Sequence, residues 1–69
     1  MAGNTKCYRV TVGADGKLKP EMWEFSPRFC DSIPAALERL AAEGMGPAMV
    51  RFHEWPELQR RWAEREVQP

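Results

Sequence analysis

The chain has 69 residues, and its ten basic and ten acidic side chains cancel at neutral pH. This length allows one domain, and a net charge of zero gives no overall field that would attract nucleic acid or a membrane surface. Leu, Ile, Val and Phe make up only about 17% of the residues, which is low for a globular protein. A domain this small buries about 60% of its unfolded surface, so we expect a homodimer or a bound partner to add stability.

The sequence contains no segment with the ~20 apolar residues of a membrane span, and its first residues lack the apolar run of a signal peptide. Two cysteines, Cys7 and Cys30, do not make a disulfide framework, and their spacing leaves open whether they meet in the fold. We expect a cytoplasmic protein with reduced thiols, one domain over residues 1–69 with a loose tail at 1–4, and neither cofactor nor metal.

The first third of the chain predicts a β-hairpin. Lys6–Val12 alternates between apolar and polar side chains, Gly13–Gly16 has turn composition, and Glu21–Phe25 forms the second strand. Pro20 has no N–H to donate, which favours an edge position for that strand. In the first strand, Tyr8, Val10 and Val12 are predicted to share one face. In the second strand, Trp23 and Phe25 are predicted to share a face with each other.

The segment Asp31–Gly44 predicts an amphipathic helix. Either Asp31 or Ser32 can accept hydrogen bonds from the first turn, where Pro34 is tolerated. Gly44 suits the left-handed conformation that ends many helices. The predicted apolar face consists of Ile33, Ala36, Leu37, Leu40 and Ala41.

The alternation of Ala48–Trp55 predicts a third strand, with Ala48, Val50 and Phe52 facing the helix and Trp55 pointing away from it. Pro56 can open a second helix over Glu57–Glu66. The polar face of that helix contains oppositely charged pairs at the four-residue spacing that brings side chains together. These pairs are Glu57–Arg61 and Arg60–Glu64.

The predicted element order is therefore β-β-α-β-α. Strands two and three are joined through a helix, which favours the same direction for both, and the hairpin makes strands one and two antiparallel. We expect a small two-layer α+β domain: a three-stranded mixed sheet in the order 2-1-3, with the helices packed on one face.

Three Trp residues in so short a chain indicate a binding surface, because Trp and Arg dominate the energetics of protein interfaces. We predict that the partner binds the Trp55–Arg65 segment, together with the exposed face of the sheet. The alternative is that Trp62 docks its helix onto its own domain while Trp23 and Trp55 fill the core. The predicted binding residues are Arg51, Trp55, Arg61, Trp62 and Arg65.

The sequence suggests two other kinds of function. Nucleic-acid binding by the Arg-rich C-terminal helix is the alternative to protein binding, although Glu57 and Glu64 lie among the arginines and weaken any cationic face. A catalytic site would most plausibly use Cys7 or Cys30 with His53 as its base. The sequence gives no sign that these residues meet, so we expect no enzymatic activity.

In type, the chain resembles the compact single-domain proteins that phages and mobile elements encode to bind and disable host machinery, anti-CRISPR proteins among them. The resemblance lies in size, single-domain economy and the lack of catalytic residues, and it assigns no functional residue. It implies a small non-enzymatic inhibitor that binds a host protein and blocks it sterically.

Overall fold

A computed structural model describes residues 4–42 and 46–67, with side chains described as far as residue 65. Two short 3-10 turns accompany the regular elements, one at Pro27–Phe29 and one at Phe52–Glu54. The predicted order β-β-α-β-α is confirmed. In chain order the elements are β1 (Thr5–Val12), β2 (Leu18–Phe25), α1 (Ile33–Ala41), β3 (Ala48–Arg51) and α2 (Trp55–Val67).

The three strands form one open sheet in the predicted order β2-β1-β3. β1 pairs antiparallel with both of its neighbours. β2 and β3 consequently run in the same direction, as the helical connection predicts. Because β1 lies between them, however, no neighbouring strands are parallel, and the sheet is antiparallel rather than mixed.

The hydrophobic core lies between one face of the sheet and the two helices, which confirms the two-layer α+β architecture. On the sheet, Val10 pairs with Ala48, and Val50 lies two residues further along the same face. On the helices, Leu58 of α2 is fully buried. The buried cluster consists of Val10, Ala48, Val50, Ile33, Ala36, Leu40 and Leu58. Leu37 packs partly against it, whereas Ala41 is exposed.

The two residues predicted to cap α1, Asp31 and Ser32, have different roles. The Ser32 hydroxyl accepts a hydrogen bond from the Ala35 N–H at 3.3 Å, as an N-cap does. Asp31 instead pairs with β3: its N–H donates to the Met49 carbonyl at 2.6 Å, and its carboxylate accepts from the Met49 N–H at 3.1 Å. Asp31 thus covers the outer edge of β3. α1 ends at Ala41, earlier than predicted, because Ala42 is already extended. Gly44, the predicted helix end, lies outside the described residues.

The hairpin turn forms where the sequence predicts it. The Gly13 N–H donates to the Lys17 carbonyl at 2.8 Å, and the Asp15 carboxylate accepts from the Lys17 N–H at 3.1 Å. This hydrogen bond lowers the pKa of the Asp15 carboxyl group. Gly16 has a φ of +83°, which glycine adopts more readily than other residues.

β2 begins earlier than predicted and includes Pro20. Both backbone groups of Met49 face Asp31, away from β1, so they form no hydrogen bonds with Arg9, the residue opposite Met49. The backbone groups of Arg9 therefore point to β2, where Arg9 pairs with Glu21. In this alternation Pro20 faces the outer edge of β2. Its missing N–H therefore removes no bond from the ladder, which explains why the strand tolerates it.

The third strand is shorter than predicted, since it ends at Arg51 rather than at Trp55. The chain then turns at Phe52–Glu54, and the Trp55 N–H donates to the Phe52 carbonyl. The reason is aromatic packing around Tyr8, whose ring centroid lies 4.5 Å from that of Phe52 and 5.3 Å from that of Trp55. Trp55 accordingly packs against the core instead of pointing away from it.

Replacing Leu58 with Ala should destabilise the domain by about 2–5 kcal/mol, because it opens a cavity where α2 meets the sheet. Urea unfolding followed by circular dichroism measures the loss. The control is Gln59→Ala at the next, exposed position, which should change stability by less than about 0.5 kcal/mol. Equal midpoints for the two variants would show that α2 does not pack on the sheet.

Candidate functional site

The polar face of α2 is paired with itself, as the four-residue spacing predicts. The Arg61 Nε lies 3.0 Å from the Glu57 carboxylate, and Arg60 Nη1 lies 3.2 Å from that of Glu64. Both pairs are exposed, so each adds little stability, but each places an anion beside an arginine. The helix therefore does not present an uninterrupted cationic face.

Trp62 joins α2 to the hairpin of its own domain. The indole is partly buried against the core, and its Nε1–H donates to the Gly16 carbonyl at 2.9 Å. The Arg65 guanidinium carbon lies 5.5 Å from the centre of the Trp62 ring. This is the arrangement that the sequence offers as the alternative to a partner-facing Trp62.

The residues predicted to bind a partner therefore lie in different environments. Trp55 and Trp62 lie against the core, and Arg65 covers Trp62. Arg61 is paired with Glu57, and Arg51, at the end of β3, lies 3.9 Å from the Glu54 carboxylate. The arginines remain exposed, and a binding role for the five residues stays a prediction.

A different Trp is exposed on the face of the sheet opposite the helices. Trp23 is 44% exposed, and its Nε1–H donates to the Glu21 carboxylate at 3.0 Å. Arg9 donates to the same carboxylate oxygen at 3.2 Å, and its guanidinium carbon lies 5.4 Å from the centre of the Trp23 ring. The Phe25 ring lies 6.0 Å from that of Trp23. We call Arg9, Glu21, Trp23 and Phe25 the Trp23 cluster.

The Trp23 cluster has the composition and the rigidity of a binding hot spot. Trp and Arg are the side chains most enriched among residues that dominate interface energies. The hydrogen bond to Glu21 and the contact with Arg9 hold the exposed indole in one orientation before any partner arrives. A side chain ordered in advance loses less entropy on binding, so its contacts yield more net affinity.

The outer edge of β2 lies beside this cluster. No strand within the described residues pairs with it. The ladder alternation directs the N–H groups of Leu18, Met22 and Glu24 to this edge, and only Pro20 interrupts the row. Free backbone groups along an eight-residue strand are a template for an added strand from another chain.

The two cysteines meet, whereas the histidine lies elsewhere. Cys7 is fully buried, and Cys30 is its neighbour. Burial raises the pKa of the Cys7 thiol, and the neighbouring Cys30 raises it further. A raised pKa lowers the fraction of thiolate, which is the reactive form, at neutral pH. His53 is exposed and lines a shallow groove to which neither cysteine contributes.

The binding residues predicted from the sequence lie on or near α2, and Trp23 is not among them. The signal for the Trp23 cluster was nonetheless present. The strand order 2-1-3 puts β2 at an edge, and helices on one face leave the other face open. Since Trp23 alternates with Met22, one of the two had to lie on the uncovered face.

Comparison of the chain with protein-family models, with curated proteins and with solved structures finds no match. Within residues 4–42 and 46–67, no helix is long and apolar enough to cross a membrane. The same residues contain no group of three or more His, Cys, Asp or Glu side chains that could hold a metal ion.

Trp62→Ala should destabilise the domain by about 2 kcal/mol or more, because it removes apolar contacts with the core and the hydrogen bond to Gly16. Trp62→Phe keeps much of the packing and should lose about 1 kcal/mol with the hydrogen bond. Thermal and urea unfolding measure both, with the exposed Arg61→Ala as control. A Trp62→Ala midpoint equal to that of Arg61→Ala would show that Trp62 does not dock the helix.

Proposed function

We propose that the protein is a small non-enzymatic binding module that docks on another protein through the Trp23 cluster and the free edge of β2. The observation that supports this best is the exposed indole of Trp23, held in place by Glu21 and Arg9. The core is short of large apolar side chains, yet this Trp lies outside it. A fixed, exposed Trp is better suited to a partner than to the stability of its own domain.

The free edge explains how the partner is oriented. An extended segment of the partner adds to β2, with main-chain hydrogen bonds to Met22 and Glu24 providing affinity. Its alternate side chains then meet Trp23 and Phe25 on the open face, which provides specificity. Pro20, without an N–H, limits how far pairing extends towards the hairpin turn.

The biological role we propose is steric inhibition of a host protein, the role performed by the compact phage-encoded inhibitors that the chain resembles in type. Such a role needs a surface that covers a partner's site and requires no chemistry. The edge of β2 and the Trp23 cluster supply an apolar centre with charged neighbours, Arg9 and Glu21, at its margin.

Binding should depend on Trp23 and on the backbone of Met22, and it should be insensitive to the Met22 side chain. Trp23→Ala should weaken binding roughly 30-fold or more, as loss of a hot-spot residue does. Met22→Pro should also weaken it, because it removes an outward N–H without breaking a ladder bond. Met22→Ala is the matched control, since Met22 is 61% exposed on the other face of the same strand.

The measurement is a pull-down from bacterial lysate at moderate and high salt, with nuclease-treated lysate run alongside, followed by titration of the retained protein against each variant. Circular dichroism first establishes that every variant folds. One protein that survives high salt, is lost with Trp23→Ala and Met22→Pro, and persists with Met22→Ala supports the proposal. Recovery of nucleic acid alone, lost as salt rises, would overturn it in favour of the α2-based regulator. Recovery of no protein would also contradict it.

A further inference from the structure

The segment that follows β2 has both of its ends fixed to the sheet. Phe25 pairs with Thr5 of β1, and Asp31 forms two hydrogen bonds with Met49 on the outer side of β3. Since β1 lies between β2 and β3, residues 26–30 must cross the end of β1. This crossing carries Cys30 to Cys7.

The two thiols differ in their access to solvent. Cys7 points to the sheet face opposite the helices, because it alternates with Tyr8, and it is completely buried there. Cys30 is half-buried. Both are free thiols, and Cys30 neighbours Cys7. Cys30 therefore keeps contact with solvent, whereas its neighbour Cys7 has none.

We propose that Cys7 and Cys30 form an oxidation site, at which a low-molecular-weight disulfide such as glutathione disulfide converts the two thiols into one intramolecular disulfide. The bond closes the chain from residue 7 to residue 30 and joins the crossing segment to β1. This site is independent of the binding function proposed above.

The reaction proceeds by two thiol–disulfide exchanges. The Cys30 thiolate attacks one sulfur of glutathione disulfide, which forms a mixed disulfide and releases glutathione as a thiolate that takes up a proton. The Cys7 thiolate then attacks the Cys30 sulfur, breaks its bond to glutathione and releases the second glutathione. Two cysteine thiols are oxidised, and one glutathione disulfide is reduced to two glutathione molecules.

The position of the bond predicts two physical consequences. A covalent link between residues 7 and 30 restricts the unfolded chain, so the oxidised protein should melt roughly 10 °C or more above the reduced one. The bond also lies next to the Trp23 cluster, because Cys7 pairs directly with Trp23 across the β1–β2 ladder. Oxidation therefore fixes the crossing segment beside the open face.

The test incubates the folded protein with glutathione disulfide, and in parallel with a reducing agent, and then measures intact mass and melting temperature. The expected product is a monomer that has lost two hydrogens, with a linked Cys7–Cys30 peptide after digestion and a raised melting temperature. Because burial raises the Cys7 pKa, closure should still accelerate as the pH passes about 8.5, where an ordinary cysteine thiol is half ionised.

Two variants serve as controls after their folding is checked by circular dichroism. Cys30→Ser should neither lose the two hydrogens nor gain thermal stability, and Cys7→Ser should accumulate the mixed disulfide at Cys30. A stable glutathione adduct on the wild-type protein, with no linked peptide, would overturn the proposal. Disulfide-linked dimers in place of the internal bond would overturn it as well.

Discussion

Val10 lies at the centre of the sheet, opposite Ala48, and packs with Val50 beneath the buried residues of both helices. This single apolar layer is the constraint on which the rest of the structure depends. The chain has too few aliphatic side chains to cover both faces of the sheet, so one face stays open. The regular alternation of β2 places Trp23 on that face, where it is exposed.

Asp31 makes the sheet asymmetric. By pairing with both backbone groups of Met49, it satisfies the outer edge of β3 and fixes the chain immediately before the N-cap of α1. The outer edge of β2 receives no such cover within the described residues. Proteins often protect such edges with proline or charged side chains, and Pro20 supplies one such interruption here. The protection is partial, because the edge beyond Pro20 keeps the free groups of Met22 and Glu24.

Local patterns in the sequence were sufficient for much of the fold and insufficient wherever distant residues decide the outcome. The hairpin turn, the Ser32 cap and the ion pairs of α2 depend on residues a few positions apart, and all of them were predictable. The early end of β3 was not, because it depends on packing around Tyr8, more than forty residues away. The inward position of Trp62 likewise depends on Gly16, and an amphipathic stripe alone cannot distinguish a docked helix from a partner-facing one.

The Trp23 cluster differs from an incidental exposed aromatic residue. Scattered surface hydrophobic residues need no explanation, and Met22 on the opposite face is one of them. Trp23 is different because one carboxylate oxygen of Glu21 accepts hydrogen bonds from both the indole and Arg9, and the guanidinium also lies near the ring. These contacts are too exposed to add much stability. Their main physical effect is to fix the orientation of an exposed aromatic ring, which is the property that the proposed binding function uses.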